Sequence, residues 1–180
     1  AVCCNLLTGG ERAATEYACP LILGFLAALV IGALIGCFNG VLVAKLKIQP
    51  MVATLIMFTA GRGIAQLITD GQITYVRVES YKVLGSFLPH VPVPTPFIVA
   101  MLMVILTSLI LKKTALGLYI QSVGINAKAS RLVGIKSTMI VFLTYAFCGI
   151  CSGLAGMIAS SRIYSADANN IGLNMELDAI

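Results

Sequence analysis

Four long stretches of the chain contain almost no charge, and short polar connectors separate them. Residues 20–44 hold 25 positions without a charge, 91–111 hold 21 and 137–161 hold 25, whereas 48–69 hold 22 positions with Arg62 as the only charge. A helix needs about 20 mostly apolar residues to cross roughly 30 Å of hydrocarbon. The pattern therefore predicts four membrane spans in one transmembrane domain, residues 1–180, an all-α polytopic helical bundle.

The connectors between these stretches sort their charges by sign. Residues 45–47 and 112–136 contain no acid, and their basic residues are Lys45, Lys47, Lys112, Lys113, Lys128, Arg131 and Lys136. The seven acids all lie in the other segments: Glu11, Glu16, Asp70, Glu79, Asp167, Glu176 and Asp178. By the positive-inside rule, we predict that both basic connectors are cytoplasmic.

Composition supports a membrane protein. The chain is 59% hydrophobic and 11% charged with a mean hydropathy of +0.99, against about 45–50% and 25% in soluble domains. Seven of the 12 basic residues belong to the two connectors, and no basic patch is interleaved with aromatic residues. The net charge of +5 therefore reflects topology, and we expect no nucleic acid partner.

The chain starts at Ala1 without a methionine and ends at Ile180 without a polar tail, so we expect a piece of a longer protein. Residues 1–10 are apolar but too short to span a bilayer, and they suit the tail of a preceding helix.

Small residues recur at every fourth position of the first span. They form one helical stripe, which favours close approach of a neighbouring helix. The stripe consists of Gly24, Ala28, Gly32, Gly36 and Gly40. The last span repeats the pattern with Gly149 and Gly153. The stripes predict a compact bundle.

Turn signals separate the spans. Pro50 suits the first turn of a new helix, where its missing N–H costs nothing. Residues 70–90 are predicted to form an outer loop, with a possible short strand at 76–79. A stiff, extended entry to the third span follows at Pro89, Pro92, Pro94 and Pro96.

The connector 112–136 carries the most informative local pattern. Gly117 and Gly124 punctuate it, and a short helix is predicted between Asn126 as N-cap and Val133, with Gly134 as terminator. Its early residues are small and its last turn is basic: Ala127, Ala129, Ser130 and Arg131. Such a helix can be held in a groove of a soluble partner, and the alternative is an incidental surface helix.

Arg62, within Ala60-Gly-Arg-Gly63, is the only charge in the spans. A charge inside a membrane is costly and indicates function by default, so Arg62 is a candidate for lining a polar pathway. The alternative is an anchoring role, with the side chain extended toward water near Asp70.

The spans contain other polar residues, which suit a neutral polar solute such as a sugar. Hydrogen bonds between helices explain them equally well. These residues are Asn39, Thr54, Gln66 and Thr69.

No pattern in the sequence indicates enzymatic chemistry. The single histidine, His90, pairs with no nucleophile, the spans hold no carboxylate pair, and no phosphate-binding Gly-x-x-x-x-Gly-Lys motif occurs. Cys148 and Cys151 form a Cys-x-x-Cys pair in mid-membrane, for which small packing residues are a better interpretation than a redox or metal site. We expect no catalytic residue, metal or cofactor here, and any energy source must lie on another chain.

Several segments resemble the permease subunits of bacterial ribose/galactofuranose-type monosaccharide ABC importers. They are residues 39–55, 60–63, 124–135, 166–170 and 176–180, and the resemblance covers nearly the whole chain from about Ile22. It implies the middle of a longer permease that lacks early helices and a glycine-rich stretch after the Glu-Leu-Asp-Ala-Ile motif at 176–180.

The resemblance implies a multi-pass protein of the bacterial inner membrane that pairs with a second permease subunit, as a homo- or heterodimer, in the lipid bilayer. It also implies a cytoplasmic ATP-binding subunit and a periplasmic sugar-binding protein as partners. The candidate ATPase-coupling residues are then Gly124, Asn126, Ala129, Ser130 and Gly134. The chain departs slightly from the family pattern there, with Ile125 at a frequent glycine and Ser130 at a frequent alanine.

The candidate translocation pathway comprises Asn39, Thr54, Arg62 and Gln66. One alternative is a secondary transporter or channel that needs no ATPase. Such proteins commonly use acids inside the membrane as proton or ion relays, and the four stretches contain none. Another is a membrane scaffold that only holds partners, which the polar residues in the spans disfavour.

Overall fold

The computed structural model describes residues 13–14, 21–76, 85, 94–163 and 165–166. Four of its helices are long and apolar enough to cross a membrane: α1 (Leu21–Ala44), α2 (Pro50–Ile68), α3 (Thr95–Lys113) and α6 (Ser137–Ile163). Two shorter helices, α4 (Ala115–Ile125) and α5 (Ala127–Leu132), connect α3 to α6. The predicted all-α polytopic fold is confirmed, and the four long helices follow the four apolar stretches closely.

The turn between α1 and α2 is compact because its backbone reverses sharply. Lys47 has a positive φ of 56°, and the N–H of Ile48 donates to the carbonyl of Leu42 at 3.3 Å. Gln49 is the extended N-cap, and Pro50 is the first residue of α2, as predicted. The missing N–H of this proline is one that a helix start leaves unpaired in any case.

Two helices occupy the predicted cytoplasmic connector instead of one. Thr114 is extended, with φ −117° and ψ 153°, and separates α3 from α4. The prediction that Gly117 and Gly124 punctuate the connector is wrong, because both lie inside α4. A Cβ on Gly117 would collide with the backbone of Leu111, so this glycine allows the sharp bend between the helices.

Most of the helix contact in the described residues lies between α1 and α6, which run antiparallel. A Cβ on Gly32 would lie 2.5 Å from the carbonyl oxygen of Gly149, and one on Gly36 would lie 2.5 Å from that of Tyr145. A Cβ on Gly40 would lie 3.1 Å from the ring of Phe142. The predicted stripe of small residues is therefore a true contact surface.

Among the described residues, this helix pair has by far the most extensive packing. Ala53 is the buried residue of α2, and α3 has none. Large apolar side chains on these two helices remain exposed, among them Leu67 at 80% and Val104 at 67%. In a membrane such surfaces face lipid or further helices.

A small sheet joins three segments at the other end of the helices from the α1–α2 turn. Strand β2 (Thr74–Val76) pairs in parallel with β1 (Ala13–Ala14) and antiparallel with β3 (Ser165–Ala166). The predicted strand at 76–79 therefore begins earlier, and its residues 77–79 lie outside the described part. The sheet brings together the chain before α1, after α2 and after α6.

Gly85 also lies at this end of the helices. A Cβ on it would be 2.7 Å from the backbone nitrogen of Arg162. Pro94 is extended, as predicted, but Pro96 already belongs to the first turn of α3. Several predictions fall outside the described residues: the helix tail at 1–10, the extended Pro89 and Pro92, and the motifs at 167–170 and 176–180.

Candidate functional site

Helix α5 has the N-terminal cap that the sequence predicts. The side-chain oxygen Oδ1 of Asn126 accepts hydrogen bonds from the backbone N–H of Lys128 at 3.0 Å and of Ala129 at 3.1 Å. These two N–H groups lack partners within the helix, so the asparagine stabilises its first turn. A helix of six residues depends on such capping, because it is too short to be stable alone.

The C-terminal end of α5 is closed by two further backbone bonds. Gly134 has φ 88°, and its N–H donates to the carbonyl of Arg131 at 3.0 Å. The N–H of Ile135 donates to the carbonyl of Ser130 at 3.0 Å. This pair of bonds around a left-handed glycine is the Schellman arrangement, and it confirms Gly134 as the helix terminator.

Ala129 and Ser130, two of the small residues of α5, differ in exposure. Ser130 is 5% exposed, and its hydroxyl donates to the carbonyl of Asn126 at 3.0 Å. Ala129 is exposed, as are Leu132 at 90% and Val133 at 81%, which lie three and four residues further along. Ala129, Leu132 and Val133 therefore form one exposed apolar face, whereas Ser130 packs against the chain itself.

Sequence reasoning missed Leu132 and Val133 as surface residues. A signal was available, because two adjacent large apolar residues in a polar connector must either pack inside or be presented outward. Gly124, the remaining candidate in the connector, is exposed near the end of α4, and a Cβ added there would have nothing within 4 Å.

Helix α5 is attached to α6 through a side-chain bond. The Nε–H of Arg131 donates to the hydroxyl of Ser137, the first residue of α6, at 2.5 Å. Ser137 is only 2% exposed. The orientation of α5 is thus fixed relative to the longest helix of the chain.

Three of the four candidate pathway residues lie along one side of α2. Thr54, Arg62 and Gln66 are separated by multiples of four residues, and Phe58 completes the series. The guanidinium carbon of Arg62 lies 5.5 Å from the ring centroid of Phe58, a cation–π arrangement. The contact with Phe58 was not predicted from the sequence, although a position four residues before the arginine places the ring on the same side of the helix.

The hydroxyl of Thr54 is engaged by its own helix. It donates to the carbonyls of Pro50 at 3.1 Å and Met51 at 3.0 Å. This back-bonding satisfies the hydroxyl within the helix, so Thr54 is a weak candidate for solute contact.

Asn39 lies apart from this series, on α1 beside Gly40. Its Oδ1 is buried and has no hydrogen-bond partner among the described residues. A buried acceptor left unpaired costs about 1–3 kcal/mol, so Asn39 is positioned to accept a hydrogen bond from a group outside the described part of the chain.

Cys37, Cys148 and Cys151 are free thiols. Cys148 is exposed on α6 and Cys151 is partly buried. Their positions agree with the interpretation of the cysteines as small residues of membrane helices.

The four long apolar helices define a multi-pass α-helical membrane protein. The chain belongs to the family described as branched-chain amino acid transport system / permease component, which matches residues 4–180. No solved structure matches the chain.

Several curated proteins are similar to this chain. It is 49% identical to the galactofuranose transporter permease protein of Escherichia coli K12, over 91% of the chain and 47% of that protein. It is 42% identical to the fructose import permease protein of Bifidobacterium longum over 88% and 45%, and 38% identical to the ribose import permease protein of E. coli K12 over 86% and 49%. The chain spans about half the length of these relatives.

Proposed function

We propose that this chain is part of the permease subunit of an ATP-driven importer of monosaccharides in the bacterial inner membrane. The observation that carries the proposal is its 38–49% identity to three sugar permeases over 86–91% of its length. The family description names amino acids, but the individual relatives described above are named for sugars, and the uncharged polar groups in the spans suit a sugar better than a zwitterion.

The permease forms the translocation pathway, and the energy comes from partner subunits. These are a cytoplasmic ATP-binding subunit, a periplasmic sugar-binding protein and a second permease subunit. ATP hydrolysis takes place on the ATP-binding subunit.

Helix α5 is the proposed contact with the ATP-binding subunit. It lies in the basic, acid-free connector at 112–136, and its two caps and its bond to α6 fix its orientation. The face formed by Ala129, Leu132 and Val133 is apolar and exposed on a connector that faces water, which is typical of a protein contact. Ser130 supports the helix from its other side.

Residues of α2 and α1 form the proposed pathway. Arg62 and Gln66 lie along one side of α2 and are the proposed contacts for sugar hydroxyls. Asn39 is retained in the pathway on α1, although its Oδ1 is buried. Thr54 is retained in the pathway on the same side of α2, with its hydroxyl bonded to backbone carbonyls of its own helix.

Uptake of labelled monosaccharides tests the proposal. The full-length permease, expressed with its complete operon, is expected to transport one or more of galactofuranose, ribose and fructose. A catalytically inactive ATP-binding subunit should abolish uptake. Uptake that survives this change would identify a secondary transporter or channel, and transport of branched-chain amino acids instead of sugars would refute the substrate class.

A further inference from the structure

A cavity of about 580 Å³ lies where the end of α1, helix α5 and the start of α6 meet. Three cationic side chains line it, and each comes from a different segment: Lys45 follows α1, Arg131 belongs to α5 and Lys136 precedes α6. Apolar side chains line it as well, among them Val41, Met139 and Phe142. The cavity is a wide, open groove, and its volume falls within the range of about 300–1,000 Å³ that is usual for small-molecule sites.

The described part of the chain offers these cations no counter-charge. Its one acidic residue is Asp70, which follows α2. The cavity adjoins the turn that precedes α2, so Asp70 lies roughly 28 Å away along that helix. Three cations that share one cavity repel each other unless an anion lies between them.

The start of α6 adds to this electropositive field. Its first two residues, Ser137 and Thr138, line the cavity, and its first turn contains no acid. The N–H groups of Ser137, Met139 and Ile140 donate to backbone carbonyls, so the helix contributes through the positive end of its dipole, which favours an anion. The bond from Arg131 to Ser137 holds one guanidinium at this edge.

We propose that this cavity binds the phosphate of an anionic phospholipid from the cytoplasmic leaflet. Lys45, Arg131 and Lys136 contact the headgroup, and Val41, Met139 and Phe142 contact the glycerol and the first acyl carbons. The inference rests on the orientation in the proposed function, which places the end of α1 and the start of α6 at the cytoplasmic headgroup layer. Basic pockets between membrane helices on that side are known to suit such headgroups.

A lipid explains the mixed lining better than a free anion or an acidic protein does. Phosphate alone would leave the apolar wall in contact with water. Lysine stems pack on apolar surface while their ammonium groups reach the headgroup layer, and Lys45 and Lys136 line the cavity beside its apolar residues.

The test uses the full-length permease in its assembled complex, in nanodiscs with equal amounts of phosphatidylglycerol and phosphatidylcholine. Native mass spectrometry gives the ratio of the two lipids that stay bound. The variant Lys45→Gln/Lys136→Gln removes two cavity charges and leaves the Arg131–Ser137 bond in place. The control Lys47→Gln/Lys128→Gln removes two charges from the same connectors but outside the cavity lining.

The cavity variant is expected to lower the ratio of bound phosphatidylglycerol to phosphatidylcholine on the order of tenfold or more, while the control keeps the parent ratio. An equal fall in both variants would reveal general surface charge and overturn the site. Loss of the ATP-binding subunit from the cavity variant, with its lipid ratio unchanged, would reveal a protein contact instead.

Two further arms use the parent protein, so the test does not depend on the variant folding. Phosphatidylglycerol should raise its melting temperature above that in pure phosphatidylcholine, and equal values would overturn the proposal. Inorganic phosphate added to phosphatidylcholine nanodiscs should not reproduce the rise, and if it does, the site takes a free anion. Lipid retention needs no sugar, so its failure is distinct from failure of uptake.

Discussion

The Cα atom of Gly149 lies 2.9 Å from the position that a Cβ would take on Gly36. A side chain on either residue would meet the backbone of the facing helix. Without a hydrophobic force between helices in lipid, such close backbone packing is a principal source of their attraction. The contact between α1 and α6 therefore depends on residues that contribute no side chain.

Gly36→Leu should destabilise the permease by about 1–3 kcal/mol or more, because the added side chain has no space. Gly156→Leu is the matched control on α6, since a Cβ there meets nothing within 4 Å. The measurement is the melting temperature of the full-length protein and its yield in membranes. Equal behaviour of the two variants would mean that α1 and α6 do not pack as described.

Gly134→Ala should loosen the end of α5. Its φ of 88° is unfavourable for a residue with a Cβ, at a cost of about 1–2 kcal/mol. Gly156→Ala in α6 is the control, because its surroundings are open and its backbone is helical. Sugar-stimulated ATP hydrolysis should fall in the first variant and stay at the parent level in the second. If both keep the parent rate, the glycine reversal is irrelevant to coupling.

Ala129→Glu should weaken docking of the ATP-binding subunit, because it places a charge on the exposed apolar face beside Leu132. Ala127→Glu introduces the same charge at the first residue of α5, away from that face and where the helix dipole favours it. Co-purification of the ATP-binding subunit and sugar-stimulated hydrolysis are measured in parallel. If Ala129→Glu matches the parent in both, α5 is not the coupling element.

Arg62→Ala should reduce sugar uptake while assembly remains near the parent level. The lost cation–π contact with Phe58 is worth only about 0.5–1 kcal/mol at an exposed site, and a charge inside the membrane is itself costly. Arg62→Lys is the control for the loss of charge, because its ammonium group can keep a cation–π contact with Phe58. Normal uptake by a correctly assembled Arg62→Ala complex would assign the residue to anchoring.

A cysteine at Lys128 should be shielded from an impermeant thiol reagent added outside, whereas one at Ser80 should react. Lys128 is exposed on α5, and it is a better reporter than Ser130, whose burial would block labelling on either side. The six native cysteines are first replaced by serine or alanine. Labelling of Lys128→Cys in intact cells would invert the topology.

Local signals in the sequence predicted the features that depend on neighbouring residues. The caps at Asn126 and Gly134 and the start of α2 at Pro50 each follow from one residue and its immediate successors. The spans follow from apolar length alone. The stripe on α1 predicts close packing but does not identify the helix it packs against. The structure shows that this helix is α6, with Gly36 against Gly149.

Contacts between distant parts of the chain account for what the sequence did not reveal. From the sequence, Gly117 is interpreted as a break in the connector. It is a glycine because the backbone of Leu111 lies too close for a Cβ, and this contact exists only in the folded chain. The burial of Ser130 depends on how α5 lies against α6. The small sheet pairs strands that are about 60 and 90 residues apart, and no local pattern encodes such pairing.

Helix α6 has 27 residues, about 40 Å at 1.5 Å per residue, which is longer than the hydrocarbon core it crosses. Its first residue, Ser137, accepts a hydrogen bond from Arg131 of α5, and β3 follows its last turn. The helix contains no proline, and its middle is clamped against α1. A displacement of α5 would therefore be transmitted along the whole length of α6 to the small sheet at its other end.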